Sequence, residues 1–396
     1  MNPTVAIIGT RGYPSYYGGF ETLVRQLVPY LVASGWNVTV YCRGQSVAGH
    51  EGEAGVRTVV TPGVDSKAFS TLSYGLTSCG HAAWQKPDVA LIMNVANGYW
   101  LPALRARRVP TVVNVDGIEW ERGKWGTLAK RVFRGGATKT ARWADTIVCD
   151  AQQIANRWLR EFGRDSVFIP YGGMPPGQLV SVDEAQPHEY VLYVARLVPE
   201  NTIDEFLAAA QLLAEKRDVL IVGTSGYGEE VDERVRQACN ASARIHWLGH
   251  VSDDVRLHSL WAQAGVYFHG HSVGGTNPAL VQAMACGAPI VARDTAYNRE
   301  VLGEAGIYVD PTAAAIAAGI RSVFEDPERR SAMAASAAAR QRDSYTWDDV
   351  CARYERVLRA ALETSALGTA EPARPADSRP GKYISRLVGA RGRLHG

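Results

Sequence analysis

Short, uninterrupted apolar runs recur along this chain, many of them followed by a stretch with helical spacing. That alternation restricts the fold more than any other feature. Thr4–Gly9, Asn37–Cys42, Asp88–Asn94, Thr111–Val115 and Asp145–Asp150 form one series. Tyr190–Ala195, Val219–Gly223, Ile245–Leu248, Gly265–Phe268 and Pro289–Ala292 form a second. Runs that are apolar on both faces are expected of parallel strands covered on both sides by helices. Strand–helix alternation implies right-handed crossovers and an α/β architecture. With 396 residues the chain exceeds one ordinary core, which predicts two doubly wound Rossmann-like domains facing across a cleft.

The boundary is placed by Met174-Pro175-Pro176-Gly177 and the polar run ending at Pro187-His188-Glu189. The expected domains are residues 1–180 and 181–345. A helix over 346–363 packs back toward the first domain, and an Ala/Pro/Gly/Arg-rich basic tail over 364–396 is expected to be disordered. Six scattered cysteines without a CxxC pair fit reduced, mostly buried thiols. No apolar stretch reaches the ~20 residues of a spanning helix. The expectation is a cytoplasmic protein, peripheral at most on the inner face of a membrane.

A nicotinamide-binding fold is the first possibility to discard. Gly9-Thr10-Arg11-Gly12 is not GxGxxG, and no acid ends the second strand at Cys42. Gly18-Gly19 instead opens a helix, where backbone N–H groups suit a phosphate or sugar hydroxyls. The stretch His269–Gly287 repeats that arrangement more strongly. A strand leads into a polar glycine-rich loop (His271, Gly274, Gly275, Thr276, Asn277), then into a helix begun by Pro278 and ended by Gly287. A crevice at the carboxyl end of such a strand is the usual ligand site in an open α/β sheet. Asp116 and Glu119 follow the strand Thr111–Val115 and are candidate catalytic carboxylates, with a helix cap and a solvated acid as the plainer alternative.

From Arg122 to Arg142 every charge is positive: Arg122, Lys124, Lys130, Arg131, Arg134, Lys139 and Arg142. Trp125, Leu128, Val132 and Phe133 interleave. A basic amphipathic helix of this kind suits an anionic membrane surface, with a solvated basic face as the alternative. No nucleic-acid reading motif accompanies it, so nucleic acid is not an expected partner.

YGGFET (17–22), NVDGIEW (114–120), ARLVPEN (195–201) and HGHSVGGTNP (269–278), with AMACGAPIVA after them, resemble the retaining glycosyltransferases of family 4, a GT-B fold family. Within it they are similar to a rhamnosyltransferase-type subgroup of polysaccharide and exopolysaccharide assembly. The resemblance covers residues 4–363. It implies transfer of a hexose or deoxyhexose, with rhamnose the subgroup's suggestion, from a dTDP-, UDP- or GDP-linked sugar to a lipid-linked or glycan acceptor. It assigns Gly18 and Gly19 to the donor phosphates and acceptor, Arg196 to the diphosphate leaving group, and Gly275, Thr276 and Asn277 to donor sugar and phosphate. Gly223 and Gly249, at two neighbouring strand ends, join this donor-binding set. Asn201 stands where the family has lysine. Gly274 and Gln282 stand at the two acids of an E-x7-E pair, and an amide at 282 loses the charge-assisted bond to ribose.

Asp116 is expected to orient the acceptor hydroxyl or support positive charge, with Glu119 and His271 as second choices. No cofactor or metal is expected. A GT-B nucleotide-sugar epimerase and a non-catalytic nucleotide-sugar-binding scaffold are the competing functions.

Overall fold

The computed structural model describes residues 2–16, 18–44, 54–65, 70–123, 125–226 and 229–366. Tyr17, Lys124 and the tail from residue 367 onward, each part of an expectation above, lie outside the described residues.

The first half runs β1 (Thr4–Ile8), α1 (Gly19–Ala33), β2 (Asn37–Arg43), β3 (Val56–Thr61), α2 (Ser70–Gln85), β4 (Val89–Met93), α3 (Leu101–Ala106), β5 (Thr111–Asn114), α4 (Thr127–Trp143), β6 (Thr146–Cys149), α5 (Gln152–Phe162) and β7 (Val167–Phe168). Its seven strands form one parallel sheet in the order β3-β2-β1-β4-β5-β6-β7. The second half runs β8 (Val191–Val194), α6 (Ile203–Leu213), β9 (Val219–Val222), α7 (Glu229–Ala241), β10 (Ile245–Gly249), α8 (Asp254–Ala262), β11 (Val266–His269), α9 (Pro278–Ala285), β12 (Ile290–Arg293), α10 (Ala296–Leu302), β13 (Ile307–Val309), α11 (Ala313–Phe324), α12 (Pro327–Ser344) and α13 (Trp347–Ala366). Its six strands are ordered β10-β9-β8-β11-β12-β13. The strand order reverses at β1/β4 and again at β8/β11, the two places where a doubly wound sheet opens a crevice.

The double-sided cover that the apolar runs imply is present. Ala6, Ile8, Ala90 and Ile92 face one core of the first sheet, and Val5, Ile7, Val89 and Leu91 face the other. Trp347, Val350, Cys351, Tyr354 and Leu358 of α13 pack into that second core beside Leu23, Leu27 and Leu31 of α1. The last helix is therefore part of the first domain's core. The two chain crossings between halves lie side by side, with Gly173 N–H donating to the Tyr345 carbonyl at 2.8 Å.

Two helices carry no expectation from the sequence above. In α5, Ile154, Ala155 and Trp158 are buried at helical spacing, a signal that was there to be used. In α2 the signal is faint: STLSYGLTSCGHAAWQ holds two glycines and five Ser/Thr. Its Gly75 lies where a Cβ would overlap the Asn97 side chain, so tertiary packing overrides local propensity there.

The basic segment also differs from expectation. Arg122 precedes α4 and is largely enclosed, its side chain 11% exposed and paired with Glu119, not part of a basic surface. The interleaved aromatics turn inward: Phe133 is buried, and the Trp125 ring packs on it at 5.1 Å between centroids. Arg134 is occupied by Glu161 and lies over the Phe162 ring. The outward basic face is thus reduced to Lys130, Arg131, Lys139 and Arg142, with Leu128 exposed beside them. Among the described residues no helix is long and apolar enough to cross a membrane. Cys42, Cys79, Cys149, Cys286 and Cys351 are free and buried, and Cys239 is free and half-buried.

Candidate functional site

Most candidate residues sit at the carboxyl end of a strand or the amino end of a helix; Gln282, in the middle of α9, does not. Arg196 follows β8, and the loop 270–277 follows β11, so the two flank the second sheet's crevice. The Arg196 side chain is exposed and makes no hydrogen bond or ion pair with any described residue. Arginine's fork of donors matches a phosphate, and an uncommitted one is free to take it.

The loop opposite is anchored at both ends. Ser272 donates through N–H (3.0 Å) and Oγ (2.7 Å) to the Glu200 carbonyl. Asn277 is the N-cap of α9: its side-chain oxygen accepts from Ala279 N–H at 2.9 Å. Gly274 sits at φ +118°, a conformation that favours glycine.

The first half supplies the other wall. Gly18 and Gly19 start α1, and a Cβ built on Gly19 would lie 3.1 Å from Tyr171 Oη and 3.5 Å from Pro278 Cγ. The amino ends of α1 and α9 therefore lie close together, with the Tyr171 phenol beside Gly19. Two helix amino termini close together favour an anion there.

Below this lies a buried charge cluster. Asp116 follows β5 at φ +55°, and its N–H donates to Asn114 Oδ1 at 2.9 Å. Asn114 Nδ2 in turn donates to Tyr354 Oη of α13 at 2.7 Å. Arg122 Nε lies 2.5 Å from Glu119 Oε1, Arg122 Nη2 3.5 Å from Asp116 Oδ2, and Arg122 Nη1 3.6 Å from Glu200 Oε1. Burial pulls the Arg122 guanidinium down, but Glu119, Asp116, Glu200 and Asp150 outweigh it and hold it above its ordinary value. Glu119 also accepts from Trp125 Nε1 at 2.9 Å and is 4% exposed. It is neither a cap nor a solvated acid, and its two oxygens are committed to Arg122 and Trp125.

His271 is stacked on His269 at 4.4 Å between centroids. Burial, then His269, Arg196 and Arg122, hold His271 well below the usual histidine range, so it is a neutral imidazole. Its Nδ1 has no partner among the described residues.

Two expected ligand-binding side chains make hydrogen bonds within the protein. Asn201 Nδ2 donates to the Arg196 carbonyl at 2.8 Å and shapes the loop that presents Arg196. Gln282 Nε2 donates to the Met174 carbonyl (2.7 Å) and to Cys286 Sγ (3.4 Å), while its Oε1 accepts from Met174 N–H (3.2 Å). In this conformation it clasps the inter-domain segment. Gly223, at φ +127°, packs against Ala195, where a Cβ would fall 1.8 Å from the carbonyl oxygen; its N–H donates to Gly249 O at 2.7 Å. Both glycines support the Arg196 loop from behind.

Folding adds three residues that the sequence did not single out. Glu200 reaches across to Arg122. Tyr171 stands beside Gly19 at the start of α1. Asp150, at the end of β6, is 1% exposed; its carbonyl accepts from Thr276 N–H at 3.4 Å and from Thr276 Oγ1. An acid directly after an apolar strand, the same signal as at Asp116, was available for Asp150. Glu200 lies in the quoted ARLVPEN segment and Tyr171 in the irregular stretch after β7, with nothing local to distinguish them.

Two family models match separate parts of the chain. Residues 180–340 match the family model described as glycosyl transferases group 1, and residues 2–174 match one described only as a domain of unknown function. A phosphatidyl-myo-inositol mannosyltransferase of Mycolicibacterium smegmatis is 34% identical over 55% of this chain and 59% of its own length. The O-antigen chain mannosyltransferase B of Escherichia coli is 29% identical over 40% of this chain and 43% of its own length. The chain thus spans about half the length of these curated relatives. Among solved structures, sucrose-phosphate synthase from Thermosynechococcus elongatus superposes with a TM-score of 0.75 at 20% identity, over 91% of this chain and 100% of that one. The fold is the GT-B arrangement of two Rossmann-like domains.

Proposed function

We propose that this chain is a retaining glycosyltransferase that moves a hexose from a nucleotide-diphosphate sugar to a lipid-linked or glycan acceptor. The observation that carries this is the uncommitted Arg196 guanidinium, set across the second sheet's crevice from the amino end of α9, in the half that matches glycosyl transferases group 1. The acceptor oxygen bonds to the anomeric carbon as the carbon–phosphate oxygen bond breaks, on the same face. The acceptor's proton passes to the leaving diphosphate oxygen, so no protein nucleophile is required. Arg196 and the α9 amides stabilise the developing anion, an electrostatic arrangement that exists before the reaction starts. Asp116, oriented by Asn114, supports the positive sugar centre or the acceptor hydroxyl. Neutral His271 offers a hydrogen bond beside Arg196 without adding charge. Closure of the halves excludes water and limits hydrolysis.

The names of the relatives favour mannose as the sugar and a phosphoinositide or glycan as acceptor class, whereas the motif resemblance favours dTDP-rhamnose. The outward cations Arg131, Lys139 and Arg142 support contact with an anionic membrane, each contributing about 1 kcal/mol near anionic lipid. Thermal unfolding with UDP, GDP, dTDP and their sugars tests the reading. A ligand at ~100-fold excess over Kd stabilises by about 2.7 kcal/mol, and Arg196→Ala abolishes that shift. No shift with any nucleotide overturns the proposal.

A further inference from the structure

The mechanism above leaves Asp150 without a task, although it is the most enclosed carboxylate of the cleft. Its main-chain carbonyl holds Thr276 of the opposite half. Its side chain lies flat against Gly275: a Cβ built there would fall 2.0 Å from Oδ1, 2.4 Å from Cγ and 2.5 Å from Oδ2. Oδ1 has no hydrogen-bond partner on any other described residue. A buried polar atom left unsatisfied costs roughly 1–3 kcal/mol, which points to a ligand group that completes it. The neighbours settle which group. An anion is disfavoured beside Asp116, and Arg122 is already shared among Glu119, Asp116 and Glu200. A neutral hydroxyl, which both donates and accepts, fits.

Resting on the transferase reading, we propose that Asp150 binds a hydroxyl of the donor's glycosyl group. The donor side is favoured over the acceptor side because Asp150 touches Gly275 and Thr276, the loop facing Arg196. The carboxyl serves in its neutral form. Asp116 from the end of β5, Glu300 and Tyr297 from α10, Tyr171 from the stretch after β7, Tyr354 from α13 and the adjacent Cys149 interact with it electrostatically, and Arg122 is a cation that does so. Burial first, then Asp116, keep the proton on well above the usual carboxylate range. As a neutral acid, Asp150 can give a hydrogen bond to a sugar oxygen as well as take one.

The test uses the full chain and three probes, GDP-mannose, UDP-glucose and dTDP-rhamnose, each titrated beside its free nucleoside diphosphate. With the sugar that binds wild type, Asp150→Ala is expected to weaken the nucleotide sugar about 10- to 100-fold and leave the nucleoside diphosphate unchanged. Asp150→Asn, neutral and of the same shape, restores much of that loss. Wild-type affinity for the nucleotide sugar falls toward alkaline pH as Asp150 ionises beside Asp116, and Asp150→Asn removes that fall. Equal binding of both ligands by all three proteins overturns the inference while leaving the transferase reading intact. Loss of nucleoside diphosphate binding in Asp150→Ala overturns it in favour of a packing role. A wild type that binds none of the three sugars overturns the transferase reading and this inference together.

Discussion

Arg122 of the first half and Glu200 of the second form an ion pair across the cleft, 3.6 Å between Nη1 and Oε1, with side chains 11% and 8% exposed. The same guanidinium neutralises Glu119 and Asp116. Removing one partner of a buried pair leaves an uncompensated charge, which costs about 3–5 kcal/mol. Arg122→Ala is therefore expected to lower the unfolding free energy by that order. Glu200→Gln, which leaves Arg122 two carboxylates, should be much milder. Urea denaturation of both variants checks this, and equal effects would contradict it.

Gly275 sits where the halves touch. Any Cβ there overlaps the buried Asp150 carboxyl. Gly275→Ala is expected to hold the cleft open, abolishing turnover while each half stays folded. Small-angle scattering would show a larger radius of gyration than wild type.

His269 is fully buried, and burial depresses it to about 3. Its folded value lies below the unfolded 6.5, so the unfolded chain takes up a proton that the folded chain refuses. Stability is therefore lost as pH falls from about 6.5 toward 3. Between pH 7 and 5 this single residue removes about 2 kcal/mol. His269→Gln should show a shallower decline over that interval. Comparing the two proteins cancels the opposite contribution of Asp150, which is common to both.

In the proposed function, Arg196 and two helix amino ends would offset the charge of the diphosphate. Turnover is expected to persist in excess chelator. Complete loss of activity, restored by a divalent cation, would refute this.

Lys139 and Arg142 are candidates for lipid contact remote from the buried cluster. Lys139→Glu with Arg142→Glu is expected to release the protein from anionic vesicles in a flotation assay. Turnover of donor in the absence of membranes should be unchanged. Arg134→Glu is a poor probe of the same contact, because Arg134 already pairs with Glu161 and its reversal would disturb α5.

Local pattern determined much of this protein. Continuous apolar runs such as Val5–Ile8 and Val191–Tyr193 can only be buried on both faces, so parallel sheets and two wound halves follow from them. Pro278 at the start and Gly287 after the end of α9 placed that helix, because proline and glycine restrict or free the backbone without reference to distant residues. Arg196 and the loop 270–277 were legible for the same reason: strand ends and helix starts are local features. Only the tertiary structure decided which charges are free. Arg122 reads as one of seven surface cations until Asp116, Glu119 and Glu200 close around it. Gln282 reads as a ribose ligand until Met174, 108 positions earlier, occupies its amide. Asp150 reads as an ordinary strand-end acid until Thr276, 126 positions away, is brought against it. Burial and electrostatic pairing depend on every group that the fold assembles around a side chain, and no stretch of sequence contains that list.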